Sequence, residues 1–187
     1  MKIIPTELEG CLVIEPHVFA DDRGAFFESF NADKFADAGI TIDVKQSNVS
    51  TSSAGTLRGL HYQWPRAQGK LVSVLQGEVW DVAVDIRRDS PQFGRWTAVV
   101  LSSENRRHFW IPEGFAHGFV VLSESATFTY LCTDTYQPDL DAAIAWNDPE
   151  IAINWPIRHV LLSPKDAKAP LLSDISAERL PVSTTRV

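Results

Sequence analysis

The chain has 187 residues, with 17 Lys plus Arg against 24 Asp plus Glu and a formal net charge of −7. At 44% hydrophobic and 22% charged, the composition excludes intrinsic disorder and predicts one domain over residues 1–187, with 176–187 as a peripheral tail. The acidic balance argues against nucleic-acid binding, and no apolar run reaches the roughly 18 residues of a membrane span.

In chain order, residues 6–15 read as a strand interrupted at Gly10, and residues 24–30 as a second. Residues 31–39 form the one convincing helix of the first half, with Asn31 as N-cap and Gly39 as stop. Residues 71–75 and 78–85 flank Gln76-Gly77, a tight-turn signal that predicts a β-hairpin. Alternation places Glu78, Trp80, Val82 and Val84 on one face of its second strand. Val79, Asp81, Ala83 and Asp85 take the other, which predicts a wet face, with a site-lining face as the alternative. Strands follow at 95–101, 108–111, 118–122 and 126–133, then a helical turn over 173–179 with Ser173 as N-cap. Many short strands and few helices predict an all-β protein, an antiparallel sandwich or barrel.

Pro5, Glu7 and Glu9 interrupt any signal-peptide core. Cys11 and Cys132 are too few for a disulfide framework and too far apart for a metal knuckle, so a cytoplasmic protein with reduced thiols is expected. Of five histidines, His17 and His159 read as surface residues, and His108 has no evident partner. His61 and His117 stand in richer surroundings. Pro112-x-Gly114-x-x-His117 resembles the second motif of the cupin superfamily, a jelly-roll of antiparallel strands. The upstream match, His61-Tyr62-Gln63, carries Gln where a metal cupin places a second His, so a dismantled metal site and a metal-free function are expected. Arg58, His61 and Lys70 fall within thirteen residues and, if they face one cavity, suit an anionic ligand.

Longer motifs narrow the resemblance. Asp22-Arg23-Gly24-x-Phe26-x-Glu28, Gln46-x-Asn48-x-Ser50, Leu57-Arg58-Gly59-Leu60-His61-Tyr62-Gln63 and Lys70-Leu71-Val72 occur in order. Ile111-Pro112-x-Gly114-Phe115-Ala116-His117-Gly118-Phe119, Tyr130-x-Cys132-Thr133-x-x-Tyr136-x-Pro138 and Ser163-x-Lys165-Asp166 follow. Over about residues 2–175 the chain resembles the dTDP-4-dehydrorhamnose 3,5-epimerase family. The resemblance implies a cupin-type antiparallel jelly-roll barrel with a few short helices, acting on a dTDP-4-keto-6-deoxysugar without cofactor or metal. It makes a His61–Asp166 dyad the general base, Tyr130 the general acid on the opposite face, and Lys70 the group that stabilises an enolate oxygen. It places substrate contacts at Arg23, Glu28, Gln46, Asn48, Arg58, His117 and Lys165, with Phe26 and Tyr136 packing on the ligand. Asp141 stands where members often carry Glu, and Ala145 where Arg often occurs, which bears on substrate contacts. A homodimer with N-terminal strands reaching across to the partner is also implied.

The chemistry agrees. In a 4-keto sugar the hydrogens at C3 and C5 are both α to the carbonyl, so inversion needs a base on one face, a proton donor on the other and a stabilised enolate. An imidazole with an ordinary pKa of about 6.5, a phenol of about 10 and a nearby ammonium supply these roles. The alternatives are an epimerase acting at C3 or C5 only, a metal-dependent cupin enzyme, and a non-catalytic nucleotide-sugar binding module.

Overall fold

The computed structural model describes residues 1–183. Two antiparallel sheets face each other as a cupin-type jelly roll. One has six strands: β1 (Lys2–Pro5), β2 (Leu12–Glu15), β5 (Gln46–Ser53), β7 (Lys70–Gln76), β10 (His108–Ile111) and β12 (Ser125–Cys132), in the order β1-β2-β10-β7-β12-β5. The other comprises β6 (Leu57–Gln63), β8 (Glu78–Asp85), β9 (Trp96–Ser102), β11 (Phe115–Val121) and β13 (Asp141–Ala143), in the order β13-β6-β11-β8-β9. A small hairpin, β3 (Val18–Asp21) with β4 (Gly24–Phe27), stands outside both sheets.

The core between the sheets is built from alternate residues of both. Val72, Val74, Phe109 and Phe128 from the first meet Val79, Ala83, Leu101 and Phe119 from the second. The outer face of the five-stranded sheet is equally apolar. Val82, Val84 and Leu60 pack under Ile144, Ile151 and Leu172. Trp80 lies 5.2 Å from Trp155, ring centre to ring centre.

This double cover corrects the wet face expected for β8: Asp81 and Asp85 are both fully buried. Each is tolerated because it is hydrogen-bonded. Asp85 accepts from the Arg87 backbone at 3.0 Å, from Arg87 Nη2 at 2.6 Å and from Ser90 Oγ at 2.6 Å, and so pins the loop after β8. The hairpin expected around Gly77 is also corrected, since β7 pairs with β10 and β12 while β8 pairs with β11 and β9. Gly77 is a corner between sheets. Its φ is +79°, and a Cβ there would lie 2.1 Å from the Ser125 carbonyl oxygen.

Of the segment expected as a strand over 6–15, only Leu12–Glu15 is strand, and residues 6–11 are the turn that leads into it. β1 and β2 pair antiparallel, Lys2 opposite Glu15, around a turn in which Thr6 Oγ1 donates to the Cys11 carbonyl at 3.0 Å. The helix α1 (Ala32–Asp37) forms as expected, with Asn31 Oδ1 accepting from the Lys34 backbone N–H at 3.2 Å and Phe35 buried. Near the C-terminus, Leu172–Asp174 and Ala177–Arg179 are two separate 3₁₀ turns, so Ser173 lies inside the first and caps nothing. The expected peripheral tail is packed where it is described: Leu180 is buried in the outer cluster and the Pro181 carbonyl accepts from Arg88 N–H at 3.0 Å. The rest of that tail, 184–187, lies outside the described residues. Among the described residues no helix is long and apolar enough to cross a membrane.

Candidate active site

A cavity of about 300 Å³ opens between the ends of the two sheets. Facing residues on adjacent strands supply its walls, because cross-strand partners share a sheet face. In the six-stranded sheet Cys132 lies opposite both Lys70 and Gln46, and Tyr130 opposite Asn48. In the other sheet β6 brings His61, and the segment after β12 adds Tyr136, Asp141 and Lys165.

His61 owes its place to a pinch between β6 and β11. The two strands meet at Gly59 and Gly118, where a Cβ on Gly59 would come within 2.6 Å of Gly118 Cα, and the register shifts between His117 and Phe119. Asp166 opens the 3₁₀ turn Asp166–Lys168, its N–H bound to Ser163 Oγ at 3.0 Å, which accounts for the Ser163-x-Lys165-Asp166 spacing. The turn delivers the carboxylate to His61 Nε2 at 2.6 Å. Asp166 is sealed while the His61 side chain keeps 34% of its surface exposed, so the ring is held from behind and free in front. Burial alone would raise the Asp166 carboxyl. The hydrogen bonds from His61, Ser163 and the Gly59 backbone outweigh it and hold the group below the usual carboxylate range.

Tyr130 faces the cavity from the opposite sheet. Burial pushes its phenol above the ordinary value, with the nearby Arg58 charge opposing, so it is protonated at neutral pH. Burial lowers Lys70, against the pull of Cys132, Asp141 and Asp81, and among the described residues its ammonium has no hydrogen-bond or ion-pair partner. A desolvated, unpaired ammonium is poised to receive a developing oxyanion. At the mouth, Asp141 joins Lys165 in an ion pair and accepts from Tyr136 Oη at 2.9 Å.

Of the residues implicated by sequence, the cavity collects His61, Lys70, Tyr130, Gln46, Asn48, Tyr136, Asp141 and Lys165, with Asp166 behind His61. It does not collect five others. Arg23 and Phe26 stand on the β3–β4 hairpin, Phe26 at 67% exposure and Arg23 paired with Asp21 at 2.5 Å. Glu28 pairs with Lys34 and accepts from Asn31 Nδ2 at 2.8 Å. Arg58 donates to Ser52 Oγ at 3.0 Å. His117 lies deeper, its Nε2 on Asp81 Oδ2 at 2.9 Å and its ring stacked on Phe128.

The lining residue Gln68 was not among the residues implicated by sequence, and Asp81 was noted only for its strand face, whose site-lining alternative was the one signal pointing to it. Gln63, read as a lost metal ligand, is fully engaged. It donates to the Arg66 and Thr135 carbonyls at 2.5 and 3.2 Å and accepts from Gln137 N–H at 2.8 Å, tying β6 to the cavity rim.

The family model for dTDP-4-dehydrorhamnose 3,5-epimerase matches residues 5–174. The Pseudomonas aeruginosa dTDP-4-dehydrorhamnose 3,5-epimerase is 52% identical over 176 residues, covering 93% of this chain and 97% of its own. A crystal structure of dTDP-6-deoxy-D-glucose-3,5-epimerase from Legionella pneumophila, in complex with dTDP-4-keto-L-rhamnose, superposes with a TM-score of 0.95 at 55% identity and 98% coverage of both chains. ChmJ, a 3'-monoepimerase from Streptomyces bikiniensis in complex with dTDP-quinovose, is similar at 37% identity, with a TM-score of 0.88 and coverage of 95% of this chain and 92% of its own. A model match over most of the chain and full-length relatives at about half identity place this protein in the dTDP-4-dehydrorhamnose 3,5-epimerase family.

Proposed function

We propose that the protein inverts C3 and C5 of dTDP-4-dehydro-6-deoxy-D-glucose to give dTDP-4-dehydro-L-rhamnose, in the cytoplasm, with no cofactor beyond its own side chains. The observation that carries this reading is an imidazole held by a buried carboxylate facing a protonated phenol across one cavity, with an unpaired ammonium between the sheets. His61 removes the proton α to the C4 ketone, and Asp166 orients the ring and stabilises the imidazolium. The electron pair moves onto the ketone oxygen as an enolate, which Lys70 stabilises. Tyr130 then returns a proton from the opposite face; exchange with solvent takes the proton from the imidazolium and restores the phenol, and the cycle repeats at the second carbon. Gln46, Asn48, Tyr136, Asp141 and Lys165 hold the nucleotide sugar.

Arg23, Phe26 and Glu28 find a place in this scheme if the protein is a homodimer. They lie on or just after a hairpin that joins neither large sheet and carries exposed Phe19 and Phe26, so a partner subunit can receive them beside its own cavity. Arg58 and His117 then act from behind the lining residues and do not touch the ligand.

Incubation with the dTDP-4-keto sugar in heavy water tests the reaction. Deuterium at both C3 and C5, read by NMR, is the expected result, and absence of label at either carbon overturns the proposal. The likeness to a 3'-monoepimerase favours a second reading, for which label at C3 alone is the signature.

A further inference from the structure

The wall that faces His61 contains a chain of side-chain hydrogen bonds with a direction. The Tyr136 backbone N–H, which can only donate, binds Gln46 Oε1 at 2.7 Å. That fixes the other end of the Gln46 amide as Nε2, which donates to Asn48 Oδ1 at 2.9 Å. Asn48 must then point Nδ2 away, and it donates to Cys132 Sγ at 3.7 Å. Cys132 itself is fully buried between Lys70 and Gln46 on the sheet, and its sulfur closes the chain as the last acceptor.

The polarity has a consequence for what the cavity offers. Each amide uses one N–H inside the chain, among the described residues the second N–H has no partner, and both side chains line the cavity, so each has a donor left for whatever occupies it. With either amide reversed, a carbonyl oxygen would face an anionic sugar nucleotide.

We propose that Cys132 is a positioning residue for the epimerase reaction: as terminal acceptor it holds Asn48 in the direction that the Tyr136 N–H sets through Gln46, and so keeps the donor side of this wall in place. It acts through the amides and touches no reacting atom. The inference rests on the epimerase reading.

The test compares Cys132→Ser, which keeps an acceptor, with Cys132→Ala, which removes it. Cys132→Thr and Cys132→Val serve as a second pair of equal shape, so that any folding penalty is shared. With the dTDP-4-keto sugar, Ser and Thr should keep KM within about twofold of the parent. Ala and Val should raise KM about five- to tenfold, with kcat changed by less than about twofold, because an interaction common to ground and transition states is lost. Thermal midpoints should not track that split. Equal KM within both pairs, or a loss confined to kcat, would overturn the role of Cys132 while leaving the epimerase reading intact. A parent enzyme that neither exchanges nor inverts the substrate would overturn that reading and this inference with it.

Discussion

Two histidine–aspartate pairs lie on neighbouring strands of one sheet, His61 directly opposite His117. In the first, a sealed Asp166 holds a ring that faces a cavity, 34% of it exposed. In the second, Asp81 is wholly buried and the His117 side chain keeps only 9% of its surface, stacked on Phe128. Burial pushes Asp81 up and His117 down, each against the pull of the other, so charge separation within this inner pair is disfavoured by its surroundings. The same two functional groups therefore do different work. An open front fits the first pair to the base role proposed for it; a closed one makes the second part of the core.

The comparison is broken most easily by exchanging the expected consequences. His61→Asn should lower deuterium exchange at both carbons by about a thousandfold, within the range of a lost general base, with little change in unfolding midpoint. Asp166→Asn should cost about a hundredfold, since the ring remains but its orientation and charge support are lost. Substrate exchange followed by NMR, beside urea unfolding of the same variants, separates activity from stability.

Asp81→Ala should do the opposite. It leaves His117 Nε2 without a partner in the sealed interior, and urea unfolding should show a loss of about 3 kcal/mol. An Asp81→Ala protein of parental stability with abolished exchange would assign the inner pair to the chemistry and erase the distinction.

A smaller effect comes from His108, 3% exposed, with Nε2 unpartnered and its pKa lowered by burial to about 4. The unfolded chain binds this proton near the ordinary value of about 6.5, so the unfolded state gains protons first as pH falls. Stability should be unaffected by this group above that value and decline between it and about 4, by about 1.4 kcal/mol at pH 5.5 relative to pH 8. Unfolding curves at the two pH values, for the parent and His108→Asn, check it. The variant should lack this part of the slope, and an identical slope in both would refute the assignment.

That His61, Lys70 and Tyr130 would share one cavity, with Asp166 behind His61, was legible in the sequence because their motifs carry both residue type and order: Leu-Arg-Gly-Leu-His61, Lys70-Leu-Val, Tyr130-x-Cys-Thr and Ser-x-Lys-Asp166. Strand positions were legible from alternation, and α1 from its cap. Gln76-Gly77 marked a reversal correctly, but a turn signal does not say which sheet the chain enters next, and here it changes sheets. Asp81 and Asp85 looked wet because a carboxylate at a strand position is usually solvated. Their partners, His117 and Arg87 with Ser90, come from the adjacent strand and from a loop whose placement the pattern does not encode. Arg23, Phe26 and Glu28 were recognisable as residues but not by location, since motif order does not say that the β3–β4 hairpin stands outside both large sheets.

The most direct measurement is deuterium exchange against inversion in Tyr130→Phe. With the phenol gone and His61 intact, proton removal should continue, the label returning from the imidazole side with configuration retained. Exchange should stay within about tenfold of the parent while inversion falls at least about a hundredfold. Loss of both in equal measure would contradict the placement of base and acid on opposing faces of one substrate.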